Sequence, residues 1–471
     1  MKIRYPQILI LLSFTLFSTL GCKTSGIEIE RGISYEFEAG HPELRISAIG
    51  IVDQEDQAVI KIASEIIYSS LINKFRDKRQ FSNVELEIKV IGIDNTFNES
   101  VKREYTFESS PIKVEGESFT LIEDIIAIPG EFEIQVMVRD GHSGKESYRK
   151  AYTNIPNPLK PVINLTTVQL LGKDNEFTDQ GFSPITTYDV PNRMDSLKFV
   201  FQVTNNNSKD PISVKSRLLS FKADTIAALP MNLRNRSVAP FQYRGIDLEN
   251  GTEVSSNTRM LNQEGSVYIE FSYPNLSTGN YRFVVEVISD SLNINKQARD
   301  FSIKSKNYPS IVDVKEFAYP LYYIMDTKEY NKLISIDDNL KLKEEIDRFW
   351  LKNIRNKNTA RSVIEMYYNR VEEANKLFST YKEGWKTDLG MIYILFGPPW
   401  YVKDEDLNEM VWGYSYNSLD PTTNFVFFTP RAKSKYFPFE NYILKRSPQL
   451  YKIYYQQIDL WLSGDILFRS L

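Results

Sequence analysis

Cysteine is nearly absent from this chain of 471 residues: Cys22 is the only one. No internal disulfide can form, and zinc sites built on thiolates are excluded by supply. Histidine is almost as scarce, and both His41 and His142 fall in the first third, in segments that read as β. Ser-His-Asp and Cys-His catalysis need a histidine beside the nucleophile, so neither is expected. Charge of one sign is lacking too. The 57 basic residues face 61 acidic ones, a formal net charge of −4, which is no footprint for nucleic acid. Beyond the N-terminal segment no run of about 18 apolar residues occurs, so no transmembrane helix is expected. With 42% hydrophobic residues the chain can still bury proper cores.

The N-terminal segment is of a different kind. Lys2 and Arg4 precede an apolar run from Ile8 to Leu20. As a helix that run would rise only about 20 Å, too short to span a bilayer. It reads as a signal peptide. It ends Thr19-Leu20-Gly21-Cys22, which resembles a lipoprotein signal peptidase site. The usual pattern has Leu three before the cysteine and a small residue two before it, where this chain has Thr19 and Leu20. The resemblance implies acylation (palmitate) on Cys22 and a membrane anchor more stable than one reversible chain. It accounts for the lone cysteine; the bland alternative is an incidental cysteine in a secreted chain. Lys23, rather than Asp, follows the cysteine, which resembles an outer-membrane destination with the chain on the periplasmic face.

Period-two alternation dominates the next 280 or so residues by the strand criterion. Leu44, Ile46, Ala48 and Gly50 alternate, as do Val84, Leu86, Ile88 and Val90, then Leu197, Phe199, Phe201 and Val203. From Asp56 to Asn73 a helix fits about as well as a strand. Pro156, Pro158 and Pro161 mark a linker, and residues 304–309 mark another. The run Gly130, Phe132, Ile134, Val136, Val138 is echoed at constant offset by Gly279, Tyr281, Phe283, Val285, Val287. A turn glycine, an aromatic and alternating branched residues suit a late strand of an immunoglobulin-like sandwich. Two tandem antiparallel β-sandwiches are therefore expected, at 22–157 and 158–306, after a signal peptide at 1–21.

Residues 307–471 differ in kind. All five tryptophans lie there. Acidic Asp337 and Asp338 precede a helical pattern, and Arg361 to Phe378 places Ile364, Tyr367, Tyr368, Val371, Ala374 and Phe378 on one face. Strands are expected at 391–396, 410–414 and 424–428, and a closing helix at 449–463, so this is an α+β domain. Within it stands Gly384-Trp385-Lys386-Thr387-Asp388, followed by an apolar run and Gly397-Pro398-Pro399. With the preceding Tyr368-Asn369-Arg370 and Ala374-Asn375 and the later Trp412-x-Tyr414, this resembles the GWxTD domain over roughly residues 310–460. The resemblance implies an extracytoplasmic bacterial protein and no particular reaction.

Two readings of the motif stand side by side. In the structural one, Gly384 takes positive φ and ends a helix, Thr387 and Asp388 fix a turn, and Trp385 pins helix to sheet. Gly397 and Pro398 then stiffen the exit from a strand. In the functional one, Trp385, Asp388, Arg370 and Trp412 ring a cleft for a polar or glycan ligand. Other candidates are weaker. Gly141 to Glu146 is too short for a phosphate loop and reads as a hairpin turn. The acidic run Asp404 to Glu409 lacks the glycine of a calcium loop. No catalytic set, metal site or cofactor is expected. The expectation is a non-enzymatic, lipid-anchored envelope protein, with sandwiches that hold the GWxTD domain away from the membrane to bind an envelope protein partner. The alternatives are a glycan- or peptidoglycan-binding module, or a hydrolase using carboxylates alone.

Overall fold

The computed structural model describes residues 28–30, 40–76, 79–109, 118–157, 163–174, 181–191, 194–206, 211–231, 245–288, 294–406, 409–414, 423–429 and 441–468. The signal segment and Cys22 lie outside the described residues, as do Leu407 and Asn408 of the acidic run.

The first described element is a short strand, β1 (Glu28–Glu30), and a first sandwich follows it. Its strands are β2 (Leu44–Val52), β3 (Ala58–Ile67), β4 (Lys74–Arg76), β5 (Arg79–Gly92), β6 (Asn98–Ser109), β7 (Ser118–Ile126), β8 (Gly130–Asp140) and β9 (Glu146–Ile155). One sheet runs β2-β3-β7; the other runs β6-β5-β8-β9, with β4 on the tip of β5. The ambiguous segment after Asp56 is strand β3. Ile60, Ile62 and Ile66 are fully buried in the core between the sheets, where they meet Leu86, Ile88 and Ile134. Branched side chains suit that pleated position.

The second sandwich repeats the plan. It contains β10 (Ile163–Leu165), β11 (Gln169–Asp174), β12 (Ser183–Pro184), β13 (Asp189–Pro191), β14 (Met194–Asn205), β15 (Ile212–Phe221), β16 (Thr252–Leu261), β17 (Gly265–Pro274), β18 (Gly279–Ile288) and β19 (Ile294–Lys304). Its sheets run β11-β14-β17 and β16-β15-β18-β19. Strand by strand, β2, β3, β5, β6, β7, β8 and β9 correspond to β11, β14, β15, β16, β17, β18 and β19. The echo in the sequence falls on β8 and β18, the same strand of each sandwich.

Helices concentrate after residue 310: α1 (Val314–Ala318), α2 (Thr327–Ile334), α3 (Asn339–Asn353), α4 (Lys357–Phe378) and α5 (Asp388–Phe396). An antiparallel sheet follows, β20 (Tyr401–Asp406), β21 (Glu409–Tyr414), β22 (Thr423–Phe428) and β23 (Ile443–Leu444), and then α6 (Pro448–Ser463). The caps are conventional. Asp338 accepts from Lys341 N at 2.8 Å, Asn356 caps α4, and Gly464 at φ +87° ends α6.

One element departs from expectation. Residues 391–396 form helix α5, not a strand. A short, wholly apolar run has no periodicity to separate a buried strand from a buried helix. Here every residue from Gly390 to Phe396 is buried, so the helix is apolar all round. The local signal that decides is Thr387, whose side chain accepts from Gly390 N as N-cap.

The three units do not form a line of spacers. The Gln202 amide of β14 donates to Val52 O and accepts from Val52 N, both at 2.8 Å, tying sandwich 2 to the end of β2. Arg45 at the other end of β2 donates to Lys376 O in α4 at 2.6 Å. Sandwich 1 thus touches both its neighbours.

Candidate functional site

The motif Gly384 to Asp388 sits in the joint between α4 and α5, with Gly384–Lys386 forming a 3-10 turn. It links two helices rather than a helix and a strand. Gly384 has no positive φ, and α4 has already ended at Phe378. Glycine is needed there for a different reason. A Cβ on Gly384 would lie 1.8 Å from the carbonyl oxygen of Ala374, and one on Gly390 would lie 2.0 Å from that of Gly384. Three backbone layers, α4, the turn and α5, are therefore pressed together with no side chain between them.

Side chains from the end of α4 and the residue just past it hold the turn. Asn375 accepts from Trp385 N at 3.2 Å, Ser379 accepts from Gly384 N at 3.0 Å, and Asn375 donates to Pro309 O at 3.0 Å. Thr387 donates to Gly384 O at 2.7 Å while it caps α5. Trp385 is buried edge-on against Tyr323, and its carbonyl accepts from the Tyr323 hydroxyl at 2.9 Å. It pins the 3-10 segment Tyr319–Tyr323, not a sheet.

Asp388 carries the charged part of the joint. It pairs with Arg446 at 2.5 Å, and both side chains are almost wholly buried. Arg446 also donates to the carbonyl of Leu229. Leu229 belongs to the long connection between β15 and β16 of sandwich 2, and the same stretch docks twice more. Ala228 N donates to Lys386 O at 2.8 Å, and Lys382 Nζ donates to Ile226 O at 3.0 Å. Burial pulls the Lys382 ammonium down to about 8. Burial pushes the neighbouring Glu383 carboxyl up, but Lys386 and Lys304 outweigh it and hold it below its ordinary value. The motif is thus the socket into which sandwich 2 plugs residues 226–229.

The remaining predicted residues gather at the far end of α5. Arg370 donates to the carbonyls of Ile394 and Leu395 at 3.3 and 3.4 Å, and its guanidinium lies 5.2 Å from the Trp461 ring. Gln457 and Trp461 of α6 donate to the same Leu395 oxygen at 2.6 and 3.0 Å. A cation and two further donors there meet the negative end of α5. Gly397 ends the helix at φ +81°, and a Cβ would strike the Arg370 guanidinium at 2.8 Å. The Tyr414 hydroxyl donates to Gly397 O at 2.9 Å. Pro398 is exposed and Pro399 buried at the exit. Trp412 is fully buried against Phe378 and Phe427.

Trp385, Asp388, Arg370 and Trp412 therefore do not ring an open cleft. Each is at most 8% exposed, and they divide between the two ends of α5 and the sheet. Sequence reasoning missed Arg446, Lys382 and residues 226–229. Nothing local announces a contact between residues so distant in sequence. Among the described residues no three His, Asp or Glu side chains converge as a metal would require. An open groove of about 710 Å³ lies between α3 and α4, floored by Leu351, Ala360 and Ile364 and rimmed by Lys343, Asp347 and Arg361.

This geometry defines an α+β domain locked to a sandwich through a Gly-Trp-x-Thr-Asp turn. The profile of the GWxTD domain matches residues 285–463, so the chain is a GWxTD domain-containing protein. The match begins inside β18 and so takes in β19, the last strand of sandwich 2. No curated protein matches the chain. Among solved structures, a red sea bream transglutaminase is 11% identical with a TM-score of 0.19, covering 56% of this chain and 31% of its own. A Salmonella alpha-2-macroglobulin reacted with methylamine is 12% identical, also at 0.19, covering 59% and 17%. The chain spans less than a third of the length of either protein.

Proposed function

We propose that the chain is a lipid-anchored envelope protein, acylated on Cys22 at the outer membrane and facing the periplasm, whose GWxTD domain is an interaction module rather than a catalyst. One observation carries the reading: the polar groups of the motif face one another instead of a space. Asp388 is neutralised by Arg446, Thr387 is held between Gly384 and Gly390, and Arg370 caps α5. A catalytic centre instead aims its polar groups at the place a substrate occupies.

What this domain offers to solvent is aromatic. Trp400 is 63% exposed directly after the Gly-Pro-Pro turn, and Tyr401 follows it. Tyr451 and Tyr455, one turn apart on α6, lie edge to face at 5.0 Å and are about half exposed. Tyrosine and tryptophan anchor interfaces well because each buries much surface for little lost freedom. The test compares wild type with Trp400→Ala and with Tyr451→Ala/Tyr455→Ala in mild-detergent pull-downs of the tagged, membrane-bound chain. One defined envelope protein should be retained by wild type and lost from at least one variant, with all three chains melting alike. Retention of purified peptidoglycan instead, lost in the same variants, would replace the protein partner with a glycan.

A further inference from the structure

The first described residues do not lie on sandwich 1, which follows them in sequence. Strand β1 pairs in parallel with β19 of sandwich 2, Glu28 opposite Gln297, Ile29 opposite Ala298 and Glu30 opposite Arg299. It shares that edge with β13, which pairs with residues 302–304 of the same strand. Physics favours the arrangement. An uncovered β19 would present a row of open N–H and C=O groups, and the charged-apolar-charged order of residues 28–30 suits an added strand. The β19 partners are buried, with Gln297, Ala298 and Arg299 at 8% exposure or less.

Only residues 23–27 separate Cys22 from β1. Fully extended, that stretch reaches about 20 Å. We infer that the membrane tether leaves from the β1–β19 edge of the middle sandwich, so that a phospholipid surface faces this edge, while the opposite edge, β16, points away from it. The inference rests on the lipid-anchor reading above. It replaces a stalk of two sandwiches with a body held by one edge of sandwich 2. It also gives β16 a place. That strand is exposed along nearly its whole length, and it is the far edge of the sheet whose near edge carries the tether.

The sheet supplies its own ruler. Glu28 faces Gln297, whose neighbour Lys296 faces Glu286; Glu286 faces Lys215, and Lys215 faces Thr258. Glu28 and Thr258 thus lie four strand spacings apart, about 20 Å. The first measurement places spin labels on Glu28→Cys and Thr258→Cys of the full chain. A narrow distribution near that distance supports the docking of β1, and a broad one extending far beyond it overturns the docking. The second measurement reconstitutes the acylated chain in phosphatidylethanolamine–phosphatidylglycerol vesicles carrying a headgroup quencher. Single fluorophores sit at Lys296→Cys beside β1, at Thr258→Cys, and at Lys102→Cys on the outer strand of sandwich 1. Strongest quenching at Lys296 is expected, and equal or stronger quenching at either other site overturns the orientation. A chain that leaves the vesicles and shows a free Cys22 thiol overturns the anchor reading and the membrane-facing claim with it. The spin-label distance still judges the docking of β1 in that case.

Discussion

The two sandwiches share one strand plan, yet the same position is treated in opposite ways. At the start of β18, Tyr281 packs over Gly279 and donates to Ser277 O at 2.8 Å, a tyrosine corner that ties the strand to the turn before it. The equivalent residue of β8 is Phe132, whose ring packs over Gly130 with no hydroxyl to donate. One residue further on, Glu133 stays near the surface, bound to Lys150 at 2.8 Å and to the Tyr152 hydroxyl at 3.0 Å, with its carboxyl held at about 2. Its counterpart Arg282 is buried, paired with Asp300 at 2.6 and 3.0 Å. The cause of the difference is cover. Over sandwich 2 the connection after β15 folds back and forms a small second core of Tyr188, Phe221, Ile246 and Tyr381, the last supplied by the GWxTD domain. Among the described residues, no comparable cluster forms over sandwich 1. The same strand plan thus serves, in sandwich 2, as a hub that meets both sandwich 1 and the terminal domain.

The largest expected effects break that hub. Arg282→Leu and Arg446→Leu each leave a buried carboxylate without its partner, and each should destabilise by about 3–5 kcal/mol in calorimetry. The mirror change in sandwich 1, Glu133→Gln, removes a solvent-screened partner and should leave the melting profile unmoved. Equal losses in both sandwiches would erase the contrast. Gly384→Ala comes next. Its methyl group would meet the Ala374 carbonyl, and overpacking of that kind should destabilise by about 3 kcal/mol in denaturant titration. The tyrosine corner gives a smaller, reciprocal test. Tyr281→Phe should weaken sandwich 2 by about 1 kcal/mol. Phe132→Tyr should strengthen sandwich 1 by up to about 1 kcal/mol, its new hydroxyl reaching back to Ile128 O as Tyr281 reaches Ser277.

The smallest effect is a slope with pH. Lys382 titrates at about 8 in the fold, below the ordinary lysine range. Between that value and the ordinary one the unfolded chain binds more protons than the folded one. Stability should therefore rise as pH climbs from about 8 towards 10. Below 8 the desolvation penalty is fully present. Lys382→Met should flatten that slope, and an unchanged slope would move its origin elsewhere.

The sequence was legible where a pattern is local. Leu197 to Val203 alternated and forms β14; Ile364 to Phe378 shared a face and forms α4. The echo between Gly130 and Gly279 marked one strand of each sandwich. It misled where burial is total: Met391 to Phe396 is apolar on every side, so its helical nature rested on the Thr387 cap alone. It misled also at Gly384, whose glycine answers a neighbouring helix backbone and not its own φ. It was silent where partners are remote. Arg446 lies 58 positions from Asp388, and Leu229 lies 217 from Arg446. No periodicity connects such residues, and β1 meets β19 across the whole of both sandwiches.

The Gly-Trp-x-Thr-Asp turn is the socket that joins the terminal domain to sandwich 2. Amide hydrogen exchange on wild type and Asp388→Asn tests it most directly, read at residues 226–231 and 384–390. The Ala228 amide should be protected in wild type, and both segments should exchange faster together when Asp388 loses its charge. Fast exchange of Ala228 in wild type, or a variant in which residues 384–390 loosen while 226–231 do not change, would contradict it.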